Sequence, residues 1–359
     1  MKRAFNFAPG PAIMPLPALE TAAAEMTCYK DTGVSVMEMS HRSKMYLEIF
    51  DETVALIREI MAIPENYKVL LLQGGATEQF AAVPMNLLTG SGTADYIDSG
   101  SFASGALNEA KKYGEIRTVA SSKKDNYTYV PDWDEKDFNS GADYFHITTN
   151  NTIYGTRFTH LPKTSAVPLV ADMSSNILAE GYSVADFGVI YAGAQKNIGP
   201  AGVTLVIVRE DLMGKARPDI PKLMDWKGMS DADSMINTPS TYSIYMAGLC
   251  LKWLKGQGGV AAMEKLSIEK SKLLYDYLDE SKLFRPVAVP EYRSRMNVTF
   301  RAETADCEDA FCKAAAKVGL INLKGHRLVG GMRASIYNAM PIEGVEALVE
   351  FMKEYESNV

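Results

Sequence analysis

The feature that most limits how this chain can fold is a set of short runs that are apolar without alternation: Val69–Leu72, Tyr144–Ile147, Val167–Ala171 and Val189–Ala192. A strand with one wet face alternates apolar and polar residues, whereas a run apolar at every position needs cover on both faces. They alternate with helical periodicity, and ahead of the first run Phe50, Val54, Ile57 and Met61 fall at helical spacing. The alternation predicts an α/β architecture, a mostly parallel sheet flanked by helices. The run Gly202–Val208 follows Ala192 after a loop too short for a parallel crossover. It is expected to return antiparallel and make the sheet mixed.

From about residue 258 the texture changes. Met263, Leu266, Leu273 and Tyr277 mark a long amphipathic helix, Arg295–Phe300 reads as a strand, and a further helix passes through Phe311 and Ala315. A final helix carries Val345, Leu348, Val349 and Met352, with Pro341 just ahead of its first turn, where a missing N–H costs little. The expected organisation is a large domain over 16–257 and a smaller α+β domain built from 1–15 and 258–359. The proline-rich segment Pro9–Pro17 is expected to pack against the smaller domain or near the site. A chain of 359 residues suits two such units.

With 47% apolar residues the chain can bury a sizeable core, and its formal net charge of −7 argues against a nucleic-acid or acidic-membrane partner. No apolar run approaches membrane-spanning length, and Met1-Lys-Arg followed by Ala4-Phe-Asn-Phe is too short and interrupted for a secretory signal. A cytoplasmic protein is expected. Cys28, Cys250, Cys307 and Cys312 show neither disulfide-framework nor zinc spacing and are expected to be buried, reduced thiols.

Asp172 ends one apolar run, and Lys196 follows another, flanked by Gly193, Ala194, Gly199, Pro200 and Gly202. A lysine amine and a strand-end carboxylate are what pyridoxal 5'-phosphate (PLP) requires. The amine forms a Schiff base, the carboxylate keeps the ring nitrogen protonated, and small residues leave room for a flat ring. Each residue also has a plainer reading, a solvated loop lysine and a carboxylate capping the turn through Ser174–Asn176. Their joint occurrence favours the cofactor. Gln73-Gly-Gly-Ala-Thr-Glu-Gln79, ahead of a helix expected over 79–88, offers backbone N–H groups to a phosphate, although a glycine pair there also makes an ordinary tight turn. Asn237-Thr-Pro-Ser-Thr241 reads as a helix cap or as a phosphate contact. His326, Arg327 and Arg333 lie among glycines in Gly325–Tyr337, and His41-Arg42-Ser43 is a second basic pair that also reads as a helix start. Guanidinium forks suit carboxylate and phosphate, so such a cluster on an acidic chain implies a multiply anionic substrate.

Several segments together carry a family resemblance: Phe5-Asn-Phe-Ala-Pro-Gly-Pro11, Ser40-His-Arg-Ser-Lys44, Gln79–Asn86, Glu109–Gly114, Ala171-Asp-Met-Ser-Ser175, the Lys196 segment, Asn237-Thr-Pro239 and Gly325–Pro341. In them the chain resembles the phosphoserine aminotransferase family, class V enzymes of the fold-type I PLP-transferase architecture. The resemblance implies a PLP-dependent transaminase of serine biosynthesis that moves an amino group from glutamate to 3-phosphohydroxypyruvate. In bacteria such enzymes also serve vitamin B6 (pyridoxine) synthesis. It implies Lys196 as Schiff-base lysine and general base, with Asp172 at the ring nitrogen and Gln195 and Thr152 on the cofactor. Ala76 and Thr77 would meet its phosphate, and Phe102 would stack on its ring. Asn237 and Thr238 would reach the cofactor phosphate of the neighbouring subunit in a homodimer with shared active sites. Arg42, beside His41, and Arg333 would hold substrate carboxylates, with His326 and Arg327 on the substrate phosphate. No metal is expected. Two positions depart from the family pattern. Phe102 stands where many members have Trp, losing the indole N–H, and Thr77 stands where some have Arg, removing one cation. Rival readings are an alanine–glyoxylate-type transaminase, for which His326 and Arg327 would have no purpose, and a cysteine desulfurase. The latter needs a thiol on a mobile loop, whereas Cys307 and Cys312 read as a helix start. A non-catalytic PLP-binding protein would lack either the lysine or the substrate arginines.

Overall fold

The computed structural model describes residues 3–358. A short strand, β1 (Phe5–Asn6), leads to helices α1 (Leu16–Ala24) and α2 (Lys44–Ile60). The large sheet then builds up through β2 (Tyr67–Leu72), α3 (Gly75–Leu87), β3 (Thr93–Asp98), α4 (Ser101–Ala110), β4 (Glu115–Ser121) and β5 (Tyr144–Thr148). A small hairpin of β6 (Asn150–Asn151) and β7 (Thr156–Arg157) precedes β8 (Leu169–Asp172), β9 (Val189–Gly193) and β10 (Thr204–Arg209). Next come α5 (Trp226–Asp231), α6 (Thr241–Gly256) and the long α7 (Gly259–Glu280). The remainder is β11 (Arg285–Pro286), β12 (Asn297–Arg301), α8 (Ala305–Lys317), β13 (Leu320–Ile321), β14 (Met332–Ser335) and α9 (Ile342–Ser357).

The central sheet runs β2-β10-β9-β8-β5-β3-β4. Strands β9, β8, β5, β3 and β4 are parallel, while β10 is antiparallel to both its neighbours, so the sheet is mixed as the short Ala192–Gly202 connection predicts. Successive side chains point to opposite faces, and both faces are covered. Val69, Leu71, Ile147, Ala171 and Ile190 join α2 and α6 in one core, whereas Leu70, Leu72, Val170, Val189 and Tyr191 pack with Phe80 of α3 and Leu107 of α4 in the other. That two-sided burial is why these strands read as unbroken apolar runs.

A separate core gathers Leu274 to Leu278 of α7 with β12, α8, β14, α9 and the N-terminal Phe7 and Ile13. Met263, near the start of α7, belongs instead to the core under the large sheet, so this helix links the two. β1 pairs in parallel with β13, Phe5 opposite Leu320. Details of the helical reading shift. In α2 the buried residues include Tyr46, Ile49, Thr53 and Leu56, while Val54 and, just past the helix end, Met61 are half-buried. α3 begins at Gly75, four residues before the expected start. Of the four cysteines only Cys250 is buried; Cys28, Cys307 and Cys312 are half-buried. Cys307 lies in the first turn of α8, but Cys312 is in its middle rather than at its start. Among the described residues no helix is long and apolar enough to cross a membrane.

Candidate active site

In a parallel sheet the strand C-termini point one way and their connections form a crevice there. β5 ends at Thr148, β8 at Asp172 and β9 just short of Lys196, and the N-termini of α3 and α4 lie at the same end because they follow β2 and β3. A cavity of about 290 Å³ opens among them. It is lined by Ala76, Thr77, Phe102, Thr148, Thr152, Asp172, Gln195 and Lys196 from the large unit, roofed by Pro9 and Gly10, and closed by His326 and Arg333. A second cavity of about 330 Å³ adjoins it, sharing Ile153, His326 and Arg333.

Lys196 is half-buried, and its Nζ donates to Thr152 Oγ1 at 2.8 Å and lies 5.7 Å from the centre of the Phe102 ring. Burial, reinforced by the Arg333 cation, lowers its amine to about 8, although Asp172 pulls the other way. Asp172 is buried and its carboxyl is raised by desolvation, partly offset by Ser174 and Lys196. Its Oδ1 accepts the Ser174 N–H at 2.9 Å, which fixes the carboxylate at the strand end. Arg333, buried in β14, donates Nη1 to Thr152 O at 3.0 Å, and burial lowers its pKa. His326 is also lowered, by burial and then by Arg333 and Arg327.

The residues fit a flat, phosphorylated pyridine. Asp172 offers a carboxylate at one side, Lys196 an amine at another, and Phe102 an exposed ring face. Gly74 and Gly75, at φ of +82° and +72°, turn the chain so that α3 starts with amides that no side chain caps, where a phosphate is stabilised. A Cβ on Gly75 would meet nothing within 4 Å. Two buried groups in the lining, Thr148 Oγ1 and Arg333 Nε, have no partner among the described residues, a cost that a bound polar ligand would remove.

Of the residues singled out in the sequence, Ala76, Thr77, Phe102, Thr152, Asp172, Gln195, Lys196, His326 and Arg333 share this cavity. Five do not line it. His41 and Arg42 sit ahead of α2, with Ser43 as its N-cap, and Arg327 is exposed on the loop beside His326. Asn237 and Thr238 are exposed near the start of α6, although Gln73, beside the glycine turn, donates to Thr238 O at 3.0 Å. The N-cap of α6 is Ser240, and no side chain caps it. Thr148 and Asn150 were missed as lining residues. The polar run Thr148–Thr152 directly after an apolar strand is the signal that marks them.

The aminotransferase class-V family model matches residues 4–348. A phosphoserine aminotransferase of Bacillus cereus is 50% identical over 356 residues, covering 99% of each chain. The solved phosphoserine aminotransferase of Bacillus circulans subsp. alkalophilus is 44% identical with a TM-score of 0.96, over 100% of this chain and 99% of that one. A PLP-bound phosphoserine aminotransferase from Trichomonas vaginalis is 38% identical with a TM-score of 0.93, over 98% of this chain and 100% of that one.

Proposed function

The chain belongs to the class-V aminotransferase family, and on that premise we propose that it carries out the phosphoserine aminotransferase reaction. Glutamate and 3-phosphohydroxypyruvate give 2-oxoglutarate and O-phospho-L-serine, with PLP as cofactor. The observation that carries this reading is the convergence of Asp172, Lys196 and Arg333 on one cavity.

When bound, PLP supplies an electron sink for the charge that develops at the substrate α-carbon. The chain's own residues do the rest. Asp172 holds the proton on the ring nitrogen, and a cation there provides the countercharge its buried carboxylate needs. Lys196 carries the proton to and from the substrate as general base and acid. An amine lowered to about 8 has a useful neutral fraction near neutral pH. Thr152 orients that amine through its hydroxyl. The α3 N-terminus with Ala76 and Thr77 takes the cofactor phosphate, Gln195 contacts the cofactor, and Phe102 covers one ring face.

Arg333 holds a substrate carboxylate, a task for which the orphaned Nε leaves a donor available. His326 and Arg327 receive the substrate phosphate, and the proposal gives Arg42, beside His41, a substrate carboxylate as well, although neither lines the cavity of its own chain. The same set suits 3-hydroxy-2-oxo-4-phosphooxybutanoate, a second phosphorylated keto acid, linking the chain to pyridoxine as well as serine biosynthesis. Because Asn237 and Thr238 stand outside the cavity of their own chain, the proposal gives them the cofactor phosphate of a second subunit in a homodimer with shared sites. It also includes the division into 16–257 against 1–15 with 258–359, and a cytoplasmic location. The first two residues and the last of these ranges lie outside the described residues.

The test is the visible absorption of the purified protein. The expected result is a cofactor band that bleaches with glutamate and returns with 3-phosphohydroxypyruvate. Return with glyoxylate but not with the phosphorylated acid would discard the substrate assignment.

A further inference from the structure

We propose that Glu308 is a positioning residue for the phosphorylated substrate. Its carboxylate fastens the loop 325–331, and with it His326 and Arg327, to the end of β12. This rests on the reading that the loop receives the substrate phosphate.

The loop is closed on itself. Gly325 N donates to Gly331 O at 2.8 Å, and Gly330 N donates to His326 O at 2.8 Å. Its base is held by the Lys324–Met332 bridge and by Arg333 N donating to Leu323 O at 2.7 Å, and its returning limb is fastened by a pair outside it. Glu308, in the first turns of α8 and only 5% exposed, accepts Arg301 Nε on Oε1 at 2.7 Å and Gly331 N on Oε2 at 3.1 Å. Arg301 in turn donates Nη1 to Val329 O at 3.1 Å. The two side chains thus grip the returning limb at neighbouring points and also grip each other. Gly331 permits this. It has φ +69°, and a Cβ there would stand 3.0 Å from Phe300 O and 2.5 Å from Arg301 Cδ, so only glycine passes this close.

Charge-assisted bonds to a buried carboxylate are the strong kind. A plainer role is available, because Glu308 Oε1 also accepts Ala302 N at 3.3 Å, near the start of α8. That helix already has its cap, since Thr304 accepts Cys307 N. Arg333 is anchored separately, by β12–β14 pairing opposite Thr299 and by Thr152 O. Disturbing Glu308 therefore loosens the phosphate ligands and leaves the carboxylate ligand in place.

Steady-state kinetics of the holoenzyme separate these roles. In Glu308→Gln one oxygen becomes an NH2 group, which faces Arg301 or Gly331 N–H donor to donor. The expected result is a rise of about tenfold in KM for 3-phosphohydroxypyruvate, with KM for glutamate and kcat changed by less than about twofold. Arg301→Lys keeps a charge for Glu308 but loses the fork to Val329 O, and it should raise the same KM less. This variant carries the test if Glu308→Gln does not fold. Parallel rises in both KM values, or a lowered melting temperature with no KM change, would overturn the proposal and leave Glu308 a helix cap. His326→Ala separates the two layers of the argument. If it leaves the KM for the phosphorylated acid unchanged, the reading of the loop itself falls. If it raises that KM and Glu308→Gln does not, the fastening role alone is wrong.

Discussion

Lys196 and Asp172 share one desolvated space and oppose its effect on each other. Burial lowers the amine to about 8 and raises the carboxyl, while each charge favours the ionised form of its neighbour. A neutral amine is the reactive form, so acylation of Lys196 in the apoprotein, followed by mass spectrometry of its peptide, should rise to a midpoint near pH 8. Removing the carboxylate in Asp172→Asn should move that midpoint lower, since Asp172 raises the amine's pKa. A midpoint at the 10.5 of an ordinary lysine would contradict the electrostatics of the site. These two residues were legible in the sequence because each follows an apolar run that fixes where a strand ends. Thr148 and Asn150 were not, since a threonine or asparagine after a strand is first of all a turn former. Arg333 was legible as a cation, but its burial depends on strand pairing with β12, which no local pattern announces.

At the level of elements, the sequence reading found β2, β5, β8, β9 and β10 and overlooked β3 and β4. The cause is polar content with remote partners. In β3, Asp95 is buried and accepts Asn139 N, and Asp98 is bonded by Ser104, Ser121 and Tyr127. Each pairing hides inside what looks like a hydrophilic stretch. β4 is an edge strand with no fully buried residue, so it shows neither alternation nor an apolar run. In α7 the surprise is Lys270, wholly buried, with Nζ donating to Tyr337 O at 2.7 Å and Met340 O at 2.9 Å. Two acceptors match the two N–H groups of a neutral amine, and burial lowers the group to about 7. Unfolded, the same lysine titrates near 10.5, so between these values the unfolded chain holds a proton the folded one has released. Stability should therefore rise with pH across that window, be fully present above it, and be lost as pH falls through about 7. The contribution is on the order of a few kcal/mol. Urea midpoints of wild type and Lys270→Met, compared from pH 7 to about 10, should diverge in slope. Parallel curves would show that Lys270 stays charged in the fold.

At the scale of the whole molecule, a buried polar network joins the two cores beside a small apolar cluster of Ala179, Met296 and Tyr337. Asn150 Nδ2 donates to Ser175 Oγ and to Asn297 Oδ1, both at 2.9 Å, and Asn297 Nδ2 donates to Ser335 Oγ at 3.0 Å and Tyr337 OH at 3.1 Å. Tyr337 OH reaches Pro9 O at 2.8 Å. A satisfied network of this kind is costly to break. Asn297→Leu strands Ser335, takes one partner each from Asn150 and Tyr337, and should cost about 2–4 kcal/mol, read as a lowered melting temperature. An unchanged melting temperature would mean that water repairs the junction. The α/β class and the mixed sheet were visible in sequence because they repeat a local pattern, whereas this junction joins residues far apart along the chain and left no such trace. The N-terminal strap adds an order to events. Phe5 N and Phe7 N bond the carbonyls of Gly319 and Ile321, and Ala12 N bonds Gln195 O. β1 thus finds its berth only once a ribosome has passed Ile321. Until then the segment that roofs Lys196 has Gln195 but not β13 to hold it, so a nascent chain halted before Leu320 carries a roof fastened at one end.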